Sequence, residues 1–200
     1  MIPLVNEDAP RRPLRADAAR NRERILVAAE EVFARDGLAV PVDTVAERAG
    51  VGVGTMYRHF PTKEALFEAI VVHRLDELLE LTRADIEAGA RGDGATDRFF
   101  AFLDRVGEQV SLKHDLFDAL GAAGVDLRSS YGDRVAELKR AVQLLYDRAV
   151  AAGGIRSDLN ADEVMQLVMG VCHRPDGSPA DDGATRRLLR VVCDGLRVRS

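Results

Sequence analysis

The chain has no tryptophan, only two cysteines and few aromatics, at 5% of its residues. Cys172 and Cys193 form no CxxC and have no neighbouring ligand pattern, which excludes a disulfide framework and a zinc signature. Both are read as buried thiols in a reducing compartment. No stretch approaches the roughly 20 apolar residues that span a bilayer, and the N-terminus lacks the apolar segment of a signal peptide. The expectation is a soluble, cytoplasmic protein. No segment alternates polar and apolar residues with period two, so no strand is predicted. HExxH, GxSxG and spaced catalytic carboxylates are all missing, and the chain is read as a non-enzyme without cofactor or metal. His114 and His173 have no second ligand at i+4 and are read as helix caps rather than metal ligands.

What is present is helical. Ala, Leu, Val, Arg, Asp and Glu dominate the 200 residues, and the charged 30% is of mixed sign, as suits helices with one wet face. The net charge of −5 argues against a uniformly basic nucleic-acid binder. It hides a local excess: between Arg11 and Arg24 six arginines (11, 12, 15, 20, 22 and 24) face only Asp17 and Glu23.

Residues 1–16 hold three prolines and no sustained periodicity, and are expected to form a flexible arm. Ile25, Leu26, Ala29, Val32 and Phe33 then repeat at helical period, predicting a helix from Asp17 to Asp36 stopped by Gly37. Asp43 is expected to cap a short helix ending at Gly50, and a second short helix runs from Gly54 to Phe60, ahead of Pro61. Thr62 caps a long helix reaching at least Leu81. The glycine-rich stretch 88–97 is the expected domain boundary. Beyond it the patterns predict helices at 97–112, 114–122, 131–152, 161–173 and 183–197, for about nine in an all-α chain. Asn160 and Glu163 have capping-box spacing.

The stretch "AGVGVGTMYRHFPTKEAL" (49–66) carries the chemistry. Its glycines fit neither GxGxxG nor GxxxxGK[ST], and the segment before them has helical rather than strand period, so a nucleotide loop is excluded. Two short helices joined by a glycine turn, with a third behind them, fit a helix-turn-helix. On the second helix Met56 and Phe60 are i, i+4 and are expected inside. Thr55, Tyr57, Arg58 and His59 then face solvent, where hydroxyls reach phosphates and arginine reaches guanine O6 and N7. Thr62 and Lys63 open the next helix with free N–H groups and an ammonium, a phosphate site in waiting.

The segment "ILVAAEEVFARDG…DTVAERAGVGVGTMYRHFPTKEALFEAIV" resembles the DNA-binding domain of the TetR/AcrR family of bacterial transcriptional regulators, over residues 18 to about 72. The resemblance implies a helix-turn-helix domain at 17–61, a connecting helix at 62–88 and a ligand-binding and dimerisation domain at 89–200. It implies phosphate contacts through Thr44, Tyr57 and Lys63, and base contacts near Gly54, Thr55 and Arg58. It further implies a homodimer paired through 161–173 and 183–197, a palindromic operator in double-stranded DNA, and release by a small-molecule effector. Phe102, Phe117, Tyr146, Met165, Met169 and Cys172 are the candidate effector contacts. Where many members carry Ser then Lys in the turn, this chain has Gly52 and Val53. An activator, or a dimeric module of the same fold that no longer reads DNA, is the alternative.

Overall fold

The computed structural model describes residues 11–89, 94–122, 127–172 and 182–198. Among them are eight helices: α1 (Arg11–Asp36), α2 (Val42–Ala49), α3 (Val53–His59), α4 (Lys63–Gly89), α5 (Ala95–Ala122), α6 (Leu127–Ala151), α7 (Ala161–Cys172) and α8 (Asp182–Leu196). Turns and short irregular segments join them, and among the described residues the only β pairing is an isolated antiparallel bridge between Ile155 and Arg197.

Four boundaries differ from expectation, each for a local reason. Residues 11–16, expected in the arm, belong to α1; Pro13 lies in its first turn, where an absent N–H leaves no hydrogen bond unmade. Asp43 is not the cap of α2. Pro41 holds that place without a side-chain hydrogen bond, and Asp43 sits in the first turn, where its charge still suits the helix dipole. The helices expected at 97–112 and 114–122 are one, α5, because no proline or glycine interrupts the backbone between them. α6 likewise starts earlier, at Leu127. The capped starts are as expected. Ala65 N–H donates to Thr62 Oγ1 at 3.1 Å, and Asn160 and Glu163 exchange reciprocal bonds of 2.8 and 3.0 Å.

The chain divides into two compact units, Met1–Ile70 and Val71–Ser200, and the division falls inside α4. In the first, Ile25, Leu26, Val32 and Phe33 of α1 meet Val45 and Ala46 of α2, Met56 of α3, and Leu66, Phe67 and Ile70 of α4, all buried. Phe33 and Phe67 meet edge to face at 5.2 Å. Each large apolar side chain buried this way contributes about 1.5–3 kcal/mol.

The second unit is built on Phe99, Phe102 and Leu103 of α5, Leu145 and Tyr146 of α6, Val164 and Val168 of α7, and Leu189 and Leu196 of α8. Cys193 belongs to the same core, and burial pushes its thiol up to about 11, so it is an inert filler at neutral pH. After α6 the chain turns tightly at Gly154, where an added Cβ would collide with Thr96 Oγ1 and lie 2.8 Å from Thr96 Cβ. Rotating Thr96 cannot relieve the second clash. Gly154→Ala is therefore expected to lower stability by about 1–3 kcal/mol, and Thr96→Gly in the same chain to recover part of it. Urea titration of the four species checks this, and equal losses with and without Thr96 would refute the clash as the cause.

Candidate nucleic-acid interface

α2 ends in a six-residue closure. Gly50 adopts φ 65° and ψ 38°, its N–H donates to Glu47 O at 3.0 Å, and Val51 N–H donates to Ala46 O at 3.0 Å. That paired pattern terminates a helix through a left-handed residue, a conformation glycine reaches without steric penalty. Gly52, extended at φ −68° and ψ 144°, then caps α3 through its carbonyl, which accepts from Thr55 N–H at 2.8 Å. Two short helices are thus joined by three residues. Arg24 of α1 fastens the turn from behind, its Nη2 2.5 Å from Ala49 O. Arg48 of α2 reaches Glu31 of α1 at 2.5 Å.

α3 is split, but of the four side chains expected in solvent only Tyr57 and Arg58 are fully there. Met56 and Phe60 are 1% and 2% exposed, while Tyr57 is 45% exposed and Arg58 lies open beside it. Thr55 and His59 are half-buried at its margins, as is Thr44 on α2. Gly54 has open space where its Cβ would be. Lys63, the first residue of α4, is only partly available. Its Nζ donates to Val40 O at 2.8 Å and stands 5.9 and 5.7 Å from the Phe33 and Phe67 ring centroids. Nothing in residue spacing marks that carbonyl as its acceptor.

The second unit holds a separate, partly open cavity of about 280 Å³. Leu75 and Leu78 of α4, Phe102 and Val106 of α5, Leu138 and Val142 of α6, and Met165 and Met169 of α7 line it, with Lys139 and Asp162. Those last two pair at 3.2 Å and are largely exposed. Three of the candidate effector contacts, Phe102, Met165 and Met169, therefore share one apolar space. Tyr146 does not line it. Its hydroxyl lies 2.7 Å from Leu159 O and 2.9 Å from Arg156 O, and burial raises its pKa, as for a core phenol that stays neutral. The side chains of Phe117 and Cys172 lie outside the described residues.

Residues 25–70 match the bacterial regulatory proteins of the tetR family, and residues 94–198 match the C-terminal domain of SbtR-like transcriptional regulators. The chain belongs to the TetR family of bacterial transcriptional regulators. Among solved structures, a TetR transcription regulatory protein from Mycobacterium vanbaalenii is 35% identical, with a TM-score of 0.73 over 93% of this chain and 100% of that one. A TetR transcriptional regulator from Streptomyces coelicolor is 32% identical, with a TM-score of 0.69 over 90% and 99%. The HTH-type transcriptional repressor KstR2 of Rhodococcus jostii is 25% identical over 88% of this chain and 90% of its own length.

TetR family regulators bind operator DNA and small-molecule effectors, typically as dimers. Within this TetR-family chain the helix-turn-helix is α2, residues 50–52 and α3. Among the described residues no helix is long and apolar enough to cross a membrane.

Proposed function

We propose that this TetR-family chain is a ligand-responsive repressor that binds a palindromic operator as a homodimer through α2 and α3. The observation that carries the reading is the exposed face of α3. Tyr57 holds a phenol and Arg58 a guanidinium in solvent, opposite a Met56–Phe60 side that is sealed. Gly54 beside them leaves open space that no packing within the chain demands, and a duplex backbone would fill it. Tyr57, Thr44 and Lys63 supply phosphate contacts, and Arg58, Thr55 and His59 supply groups for base edges or neighbouring phosphates. Leu167 on α7, and Leu188 and Val191 on α8, are 49%, 49% and 68% exposed, which supports dimerisation through these two helices.

The effector site is the cavity in the second unit. Leu75 and Leu78 on its wall belong to α4, the helix whose first turns carry Leu66 and Phe67 into the first unit's core. A ligand there biases α4 only by its differential affinity for the DNA-competent and DNA-free states.

Selection of bound duplexes from a random library tests the reading, with an enriched palindrome expected and no enrichment refuting it. On the selected operator, Tyr57→Phe is expected to weaken binding by roughly 1 kcal/mol, the worth of one hydrogen bond, across operator variants. Lys63→Ala is expected to flatten the salt dependence by about 0.9 in log–log slope for each phosphate it no longer neutralises. It also removes the bond to Val40 O, so its thermal stability falls as well. Unchanged affinity and slope in both variants would remove the phosphate assignment.

A further inference from the structure

Gly52, Val53 and Gly54, where the turn passes into α3, hold no charge and no side-chain donor or acceptor. A phosphate therefore finds no side-chain partner along them. Val53 is the first residue of α3 and is 43% exposed, nearly as open as Tyr57 one turn further on. A single exposed valine is ordinary on a protein surface; its setting is what distinguishes this one. Gly52 and Gly54 both have open space where a Cβ would stand, so nothing from the rest of the chain fills the room on either side of the isopropyl group.

The group is also held stiffly. Valine in a helix is confined almost wholly to one χ1 rotamer. The main chain beneath it is tied down on both sides: Gly52 O accepts from Thr55 and Met56 N–H at 2.8 and 3.0 Å, Val51 N–H donates to Ala46 O at 3.0 Å, and Arg24 Nη2 holds Ala49 O at 2.5 Å. Val53 is thus a rigid apolar knob beside Tyr57 and Arg58.

What such a knob recognises follows from the groove. In a helix-turn-helix the first residues of the second helix meet base edges. Those edges present donors and acceptors in the major groove, and the one apolar group among them is the C5-methyl of thymine. Valine set over cytosine N4 or adenine N6 would strip water from a donor and give it no partner, which costs affinity. We infer that Val53 is a specificity-determining residue, which packs its two methyl groups on the C5-methyl of one thymine in each half-site. This rests on the reading of α2 and α3 as the operator-binding head. Thr55 also carries a methyl group, but it is half-buried at the margin of α3, so Val53 is the one that stands clear.

The test uses the full chain and the operator selected above, scanned one thymine at a time with deoxyuridine. That change deletes the C5-methyl and keeps every hydrogen-bonding group of the base. The wild type is expected to lose affinity roughly fourfold at one position of a half-site, the worth of one methyl taken out of water, and roughly fifteenfold when both half-sites are substituted. Val53→Ala places a better helix former at an exposed position, so the fold is not at risk. In that variant the same thymine-to-uracil change should cost less than about twofold, because the partner of the methyl is gone. The cycle of protein and DNA changes isolates the contact; a variant that merely bound every duplex less tightly would keep the full uracil penalty. At the same position the wild type should reject cytosine, and 5-methylcytosine should recover roughly fourfold over cytosine. If a selected operator has no uracil-sensitive position, or if Val53→Ala keeps the full sensitivity, Val53 does not read a thymine methyl, while the operator reading stands. If the wild type selects no duplex, both fall.

Discussion

Phe102→Ala is expected to destabilise the second unit by about 3 kcal/mol, at the lower end of the range for buried phenylalanine, and to widen the cavity at the same time. Phe102 is fully buried, stacks on Phe99 with centroids 6.4 Å apart, and forms part of the cavity wall. Truncation forfeits the transfer free energy of the ring and joins its volume to a space already about 280 Å³. The lower end of the range applies because Met165 and Met169 line the same space, and methionine repacks with little strain. For a chain of this size the midpoint of thermal unfolding should fall by about 6–12 °C. Urea titration with hydrogen exchange on α5 and α7 checks the loss and its location. A change under about 0.5 kcal/mol, the range of ordinary surface substitutions, would mean that Phe102 does not hold this wall. The wild-type cavity has room for an apolar group: about 150 Å³ takes benzene, so about 280 Å³ takes an apolar body of roughly twice that size. Phe102→Ala should accept a larger one.

How far the sequence speaks depends on which atoms make each interaction. Ile25, Leu26, Ala29, Val32 and Phe33 read as one face because side-chain burial leaves a period of 3.6, and all five are buried. The Met56–Phe60 pair and the Asn160–Glu163 cap are legible for the same reason: side chains at fixed spacing make them. Bonds to backbone carbonyls leave no such trace. Lys63 can be placed at a helix start, but its acceptor, Val40 O, is 23 residues away on a main chain with no residue preference. Tyr146 has the pattern of a cavity residue and is instead a core phenol on two carbonyls. Leu75, Val106 and Leu138 give no separate signal, because a residue lining a cavity and one filling a core obey the same period. The start of α1 is hidden by Pro13, which reads as a breaker in the sequence, whereas in a first turn it is not.

Gly50→Val should abolish operator recognition while leaving the second unit folded. At φ 65° a β-branched residue is a steric outlier, and left-handed backbone at a non-glycine position costs about 1–3 kcal/mol. Its Cβ would also lie 2.7 Å from Arg24 Nη2, so the guanidinium has to leave Ala49 O. A hydrogen bond from a charged donor contributes about 1.5–3 kcal/mol. Together these reach roughly 3–5 kcal/mol, a large share of a small domain's total stability. The two effects separate experimentally. In an Arg24→Ala background the collision is gone and Gly50→Val should cost only the backbone strain. Gly50→Asn, which tolerates the left-handed region, should lose mainly the Arg24 bond. Duplex binding follows the same order, because this turn sets the angle at which α3 leaves α2. Equal losses for Val and Asn would show that the backbone conformation at Gly50 is not what orients α3.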